Sequence, residues 1–246
     1  MAVALVTGAT SGIGRAGAIA LAEAGWQVFG SGRDPDRGRE LAEELGRRGD
    51  FIDADLAESG VPQALVDSVV ERAGGLDLLV NNAGLHALAT VDEVTEESYD
   101  ALMDVNLRAA VLLAGAAVRA MRERGGGTIV NVSSEAGLVA VPGQAVYDIS
   151  KAGLVMLTRT IAVDHAADGI RAVSICPGTT RTPLVDAAIA SAPDPAAHER
   201  WLQERRPLGR LGRPEEIAAA IVFVASEQAA FMTGTEVVLD GGYTAA

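Results

Sequence analysis

The 246-residue sequence has a single cysteine, Cys176, so no disulfide can form within the chain. Cys176 sits beside Pro177 in an apolar stretch, where a small buried residue is expected rather than a nucleophile. The three histidines, His86, His165 and His198, are scattered and lack the Cys/His spacing of a zinc site, so no metal is expected. Aromatics make up only 4%, and the core must therefore be mostly Ala, Val, Leu and Ile. Positive charge is also in deficit: 20 Lys and Arg against 33 Asp and Glu leave a net −13. Such a surface repels phosphate backbones and anionic bilayers, which argues against nucleic acid and membrane partners. No 18-residue apolar span without charges is found, and no signal-peptide pattern opens the chain. A soluble cytoplasmic protein is the expectation.

What the chain does have is alternation. Short apolar runs at 3–6, 27–30, 51–53, 76–80, 128–132, 170–175 and 236–239 read as strands. Between them lie helical segments: 15–24, then 34–48 opened by Asp34-Pro35, 61–73, 95–124, 146–167 and one starting at Pro214. Strand and helix in turn imply a parallel sheet covered on both faces. With no linker or repeat, residues 1–246 read as one doubly wound α/β domain. The stretch 183–211, with Pro183, Pro193, Pro195 and Pro207, reads as looser. Ligands in this architecture sit beyond the carboxyl ends of the strands.

Three motifs fall at that rim. Gly8, Gly12 and Gly14 lie in the first strand-to-helix turn, where backbone can approach a pyrophosphate and the helix N-terminus offers partial positive charge. The second strand ends in Gly30-Ser31-Gly32-Arg33, without the acid that would hold a ribose 2′-hydroxyl. Arg33 suits a 2′-phosphate, which favours NADP(H) over NAD(H), although Asp34 and Asp36 weaken its field. Asp55 reads either as an acceptor for an adenine amino group or as a helix cap. Finally, Tyr147 and Lys151 are four residues apart and share a helix face, so the ammonium should favour phenolate and lower the tyrosine pKa.

Thr7-Gly8-x-x-x-Gly12-x-Gly14, Asn81-Asn82-Ala83-Gly84, Ser134, Tyr147-x-x-x-Lys151, Pro177-Gly178 and Asp240-Gly241-Gly242, in that order, resemble the short-chain dehydrogenase/reductases over essentially the whole chain. The resemblance implies a Rossmann-type, seven-stranded parallel sheet of order 3-2-1-4-5-6-7. The activity it implies is hydride transfer between a nicotinamide and an alcohol or carbonyl carbon. By the same resemblance Tyr147 is the acid/base, Lys151 lowers its pKa and binds ribose hydroxyls, Ser134 bonds the substrate oxygen, and Asn106 holds a proton-relaying water. Ser133 and Ser134 both follow the fifth strand; family spacing selects Ser134, thirteen positions before Tyr147. The cofactor site implied comprises Gly8, Thr10, Ser11, Gly12, Ile13, Gly14, Arg33, Asp55, Leu56, Asn82, Ala83, Gly84, Tyr147, Lys151, Pro177, Gly178, Thr180 and Thr182. Enoyl reductases of this fold space the tyrosine and lysine more widely, and the epimerase branch has a different glycine spacing; the chain shows neither pattern.

Residues 183–211 resemble the family's variable substrate lid and hold Arg200, Trp201, Arg205 and Arg206. These arginines read either as a carboxylate grip or as a solvated helix paired with Glu199 and Glu204. Candidate substrate residues are His86, Glu135, Gln144 and Trp201. His86 and Glu135 suit a polyhydroxy compound, whereas Leu85, Leu138, Val139 and Val141 suit an apolar ketone; sugars, hydroxy acids and cyclic ketones all remain open. The family usually forms tetramers, so a homotetramer or dimer is expected. Ala109, Ala110, Ala114, Ala116 and Ala117 fit either that interface or ordinary packing on the sheet. A nicotinamide-sensing regulator on the same fold is the alternative function, but it would not need Asn106, Ser134, Tyr147 and Lys151 together.

Overall fold

The computed structural model describes residues 1–246. In chain order the elements are β1 (Val3–Thr7), α1 (Gly12–Glu23), β2 (Gln27–Gly32), α2 (Pro35–Leu45), β3 (Gly49–Asp53), α3 (Val61–Ala73), β4 (Leu78–Asn81), α4 (Glu96–Met103) and α5 (Ala109–Glu123). They continue with β5 (Gly127–Val132), α6 (Ala145–His165), β6 (Ile170–Pro177), α7 (Pro183–Ala190), α8 (Pro195–Glu204), α9 (Pro214–Ala225) and β7 (Thr235–Leu239). The seven strands form one sheet of order β3-β2-β1-β4-β5-β6-β7, parallel at every pairing.

The strands are apolar at nearly every position because both faces are covered. Val3 and Leu5 of β1 join one core with Leu65, Val69, Leu113, Met121 and Ile161. Ala4 and Val6, one residue out of phase, join the other with Leu21, Leu41, Ile217 and Ile221. The period-2 alternation of the strand thus feeds two cores. Ala109, Ala110, Ala114, Ala116 and Ala117 are buried within the single chain, so packing on the sheet accounts for them.

Three expectations need adjustment. The long helix is helical over Glu96–Glu123 but passes through a π-turn at Asp104–Arg108, closed by Ala109 N–H on the Asp104 carbonyl. It also holds an 18-residue window of mean hydropathy 1.6, long and apolar enough to cross a membrane by composition alone; half of that window is buried in the protein, as befits a core helix. The stretch 183–211 is not loose. Pro183 and Pro195 start α7 and α8, where proline's missing N–H costs nothing, and Thr182 and Asp194 cap them. Asp55 does not cap α3, whose N-cap is Gly60; it accepts from Ala57 N–H at 3.1 Å in a local turn.

The exits of β1 and β4 are tied together. Thr7 Oγ1 accepts from Asn82 N–H and Ala83 N–H, each at 3.0 Å, and Asn82 Nδ2 donates to the Thr7 carbonyl at 2.8 Å. Gly8, at φ +63°, lies so close to this corner that a Cβ would stand 2.9 Å from Ala83 Cα. At Gly14 a Cβ would collide with the Gly8 carbonyl and the Asn82 amide. Gly14→Ala is therefore expected to destabilise the protein by about 1–3 kcal/mol, the usual cost of overpacking, seen as a lower Tm. Gly115→Ala should have the opposite sign. In α5 a Cβ there meets only Arg119 Nη1 at 3.7 Å, so the gain in helix propensity is unopposed. Equal melting of the two variants would refute this packing.

Candidate active site

One cavity of about 710 Å³ opens along the carboxyl ends of the strands. The glycine turn, the ends of β2 and β3, the β4 exit, the β5 turn, α6, the β6 exit and the α7–α8 hairpin all contribute to its wall. Of the sequence-derived cofactor residues, every one but Gly14 lines it, as do Ser134, His86, Glu135, Gln144 and Trp201. Gly14 and Asn106 stand behind the wall. Leu85 and Val141 also line it, whereas Leu138 and Val139 do not.

The two serines separate by hydrogen bonding. Ser133 Oγ is committed, donating at 2.7 Å to the Lys151 carbonyl inside α6. Ser134 Oγ accepts from Ala136 N–H at 3.1 Å, which leaves its proton available beside Tyr147. Tyr147 itself meets His86 edge to face, with ring centroids 4.8 Å apart. Desolvation is also the leading effect on His86 and lowers its pKa, with a Gln144 hydrogen bond opposing it.

Lys151 is the chain's only lysine. Its ammonium is buried, donates to the Val132 carbonyl at 2.9 Å and stands 5.6 Å from the Tyr147 ring centroid. Burial pulls its pKa down to about 8. Tyr147 departs from the simple expectation of a lowered pKa. Burial pushes it up to about 12, with the Ser134 hydrogen bond pulling the other way. In the free protein desolvation outweighs the Ser134 hydrogen bond, the charges of Glu135 and Asp148 add to the rise, and the phenol holds its proton near neutrality.

Asn106 sits in the π-turn with both polar atoms of its amide hydrogen-bonded. Oδ1 accepts from Leu85 N–H at 2.7 Å, while Nδ2 donates to the Leu85 carbonyl at 2.9 Å and to Ser150 Oγ at 3.1 Å. The structure thus shows it pinning the β4 exit to α6. π-Turns concentrate at functional sites, and this one turns Asn106 onto the segment that faces Lys151.

A buried ion pair was not anticipated. Glu135 Oε1 accepts from Arg206 Nη2 at 2.7 Å, and both side chains are almost wholly buried. Arg206 also donates to Thr179 Oγ1 and, at 2.6 Å, to the Leu202 carbonyl. Burial still lifts Glu135 to about 7, against the pull of Arg206. Arg206 is thus a tie between α8, the β5 turn and the β6 exit rather than a solvated charge. Sequence reasoning also missed a buried amide chain beneath the site: Asn81 Nδ2 donates to Asn131 Oδ1 at 2.9 Å, and Asn131 Nδ2 to Thr158 Oγ1 at 2.8 Å. The signal was available, an Asn inside each of two apolar strands.

The walls suit a dinucleotide. Gly8 and Gly12 take φ of +63° and +53° and line the cavity without a Cβ of their own, so backbone can approach a phosphate there. At the end of β2 the hydroxyl of Ser31 is buried, has no partner in the protein and lines the cavity. Arg33 lines it too, 3.9 Å from Asp55.

Comparison with known proteins agrees with this geometry. A family model described as Enoyl-(Acyl carrier protein) reductase matches residues 8–244. An uncharacterized oxidoreductase of Thermotoga maritima is 43% identical over 99% of this chain and 97% of its own. A cis-4-hydroxycyclohexanecarboxylate dehydrogenase of Sinomonas cyclohexanicum is 40% identical over 99% and 96%. The crystal structure of a short-chain type dehydrogenase/reductase from Mycobacterium marinum superposes with a TM-score of 0.92 at 36% identity, covering 100% of this chain and 96% of that one. Together with the parallel sheet and the cavity at its rim, these likenesses establish that the chain belongs to the short-chain dehydrogenase/reductase family of oxidoreductases.

Proposed function

We propose that the protein interconverts a secondary alcohol and a ketone, with NADP(H) favoured over NAD(H). The observation that carries this reading is the convergence of Ser134, Tyr147 and Lys151 on a cavity that continues into the glycine turn. The similarity to the Sinomonas cis-4-hydroxycyclohexanecarboxylate dehydrogenase points the same way. So does the spacing of Tyr147 and Lys151, which is narrower than that of the enoyl reductases.

Gly8, Gly12, Ser31, Arg33 and Lys151 would hold the dinucleotide, whose nicotinamide supplies or accepts the hydride. The protein's own groups manage charge and protons. Ser134 Oγ and the Tyr147 hydroxyl donate to the substrate oxygen, where negative charge grows as a ketone is reduced; fixed donors at such a point are the main electrostatic help. Tyr147 then gives its proton to that oxygen. A phenol held near 12 is protonated at neutral pH, and Lys151, at about 8, is charged, so the free site is set for reduction. In the oxidative direction Tyr147 accepts the proton, and the Lys151 ammonium stabilises the phenolate that must first form. Asn106 keeps the β4 exit against Lys151; a water relaying protons there would use its remaining lone pair or its main chain.

Tyr147→Phe keeps the ring against His86 and removes the proton. It should cut turnover of a ketone panel by about 10²–10⁴-fold while NADPH affinity, measured by titration, stays within a few fold; full activity would end the mechanism. Arg33→Ala should weaken NADPH binding by about tenfold or more, the loss of one charge-assisted contact, with little effect on NADH. Wild-type protein that binds NADH more tightly would reverse the cofactor assignment. Because Lys151 is the only lysine, selective ¹⁵N labelling gives one side-chain ammonium signal. Its titration midpoint is expected near 8, charged below and neutral above, against about 10.4 for an exposed lysine. A midpoint above 10 would contradict the burial.

A further inference from the structure

Three arginines line the cavity, and two are accounted for: Arg33 faces Asp55, and Arg206 is held by Glu135, Thr179 and Leu202. Arg205 is different. No carboxylate lies within ion-pair distance of it, although the chain carries 33 acids. Glu199, one of its expected partners, is paired instead with Arg181. The Arg205 guanidinium lies 4.5 Å from the Trp201 ring centroid and 5.1 Å from that of Tyr243, and Nη2 donates to the Tyr243 hydroxyl. Trp201 is backed in turn by His198, whose ring stacks on it at 5.6 Å. His198, Trp201 and Tyr243 all line the same cavity as Tyr147 and Ser134.

Two rings thus fix the guanidinium plane, and one hydroxyl uses one of its five N–H donors. The remaining donors are pre-oriented, so little side-chain entropy is lost when they are used. A protein of net charge −13 repels anions in general; a stacked arginine inside its cavity with no carboxylate in ion-pair contact is a local exception. The wall of the same cavity also carries Leu184, Val185, Leu202, Leu85 and Val141, which suits hydrocarbon.

We infer that Arg205 binds the carboxylate of the substrate, so that the protein acts on a hydroxy acid or keto acid whose reacting carbon is separated from the carboxylate by an apolar ring or chain. This rests on the proposed redox chemistry and specifies its substrate class. The same anionic recognition could serve a phosphate of the dinucleotide, and the experiment separates the two sources.

The probes are 4-hydroxycyclohexanecarboxylate and its methyl ester as substrates, and cyclohexanecarboxylate and its carboxamide as non-reacting ligands followed by tryptophan fluorescence. Wild-type protein should prefer the acid to the ester about ten- to hundredfold in kcat/KM, the usual worth of a hydrogen bond to a charged group, and should bind the carboxylate more tightly than the amide. Arg205→Met should lose most of that preference through KM with kcat little changed, Arg205→Lys should keep part of it, and NADPH affinity should hold. A wild-type protein that favours the ester or the amide, a variant that loses acid and ester alike, or one whose NADPH affinity falls in step would overturn the assignment. If Arg205→Met fails to fold, the wild-type comparisons still decide. If no probe turns over, the redox reading fails, while the carboxylate and amide titrations still judge Arg205.

Discussion

The site depends on a reversal of strand order. From β1 the chain builds outward through β2 and β3, then returns to place β4 on the other side of β1 and builds outward again. The connections after β1 and β4 therefore diverge, and a crevice must open between them at the carboxyl rim. Thr7 and Asn82 hold its two lips together: one hydroxyl accepts two backbone N–H groups from the β4 exit, and one amide returns a bond to the β1 carbonyl. That close approach excludes a Cβ at Gly8 and Gly14. The glycines, the Asn82 amide and the crevice are one constraint seen from three sides.

Parallel strands bring every chemical group to the same rim, and burial then sets their charge states. Lys151 is pinned to the Val132 carbonyl and has no carboxylate partner, so desolvation dominates and its pKa falls. Tyr147 moves in the opposite sense for the same reason: low polarity favours the neutral form of each. Glu135 is a third case, raised despite Arg206. It accepts through Oε1 only, while Oε2 and Arg206 Nε lack partners, so the attraction is incompletely realised. A buried pair of this kind adds little net stability. What it does provide is position, because it fixes the end of α8 against the β5 turn that carries Ser134.

Much of this was legible in the sequence. Strand order and the rim motifs followed from apolar runs, glycine spacing and family order, because those depend on local pattern. The stretch 183–211 misled for a physical reason: prolines signal loops on average, yet Pro183 and Pro195 follow capping Thr182 and Asp194, where proline starts a helix. The π-turn at Asp104–Arg108 left no mark in composition, since it arises from how Asn106 meets Leu85 and Ser150 across 21 and 44 residues. The pairing of Glu135 with Arg206 is equally non-local, spanning 71 residues.

The two neighbouring arginines show how one sequence feature divides under folding. Just past the C-terminal end of α8 both guanidinium groups lie against the Tyr243 ring, yet they find different partners. Arg206 goes inward, where a buried guanidinium requires a carboxylate and finds Glu135. Arg205 goes along the cavity wall, where Trp201 and Tyr243 satisfy its faces but not its charge. A stacked aromatic partner keeps a cation in place without neutralising it, whereas an ion pair would have cancelled its pull on an incoming anion. The same −13 surface that rejects polyanions therefore leaves this point open to a small acid. The tie made by Arg206 is what holds Arg205 at a fixed distance from the Ser134 turn: fixing the first arginine is the structural condition for using the second.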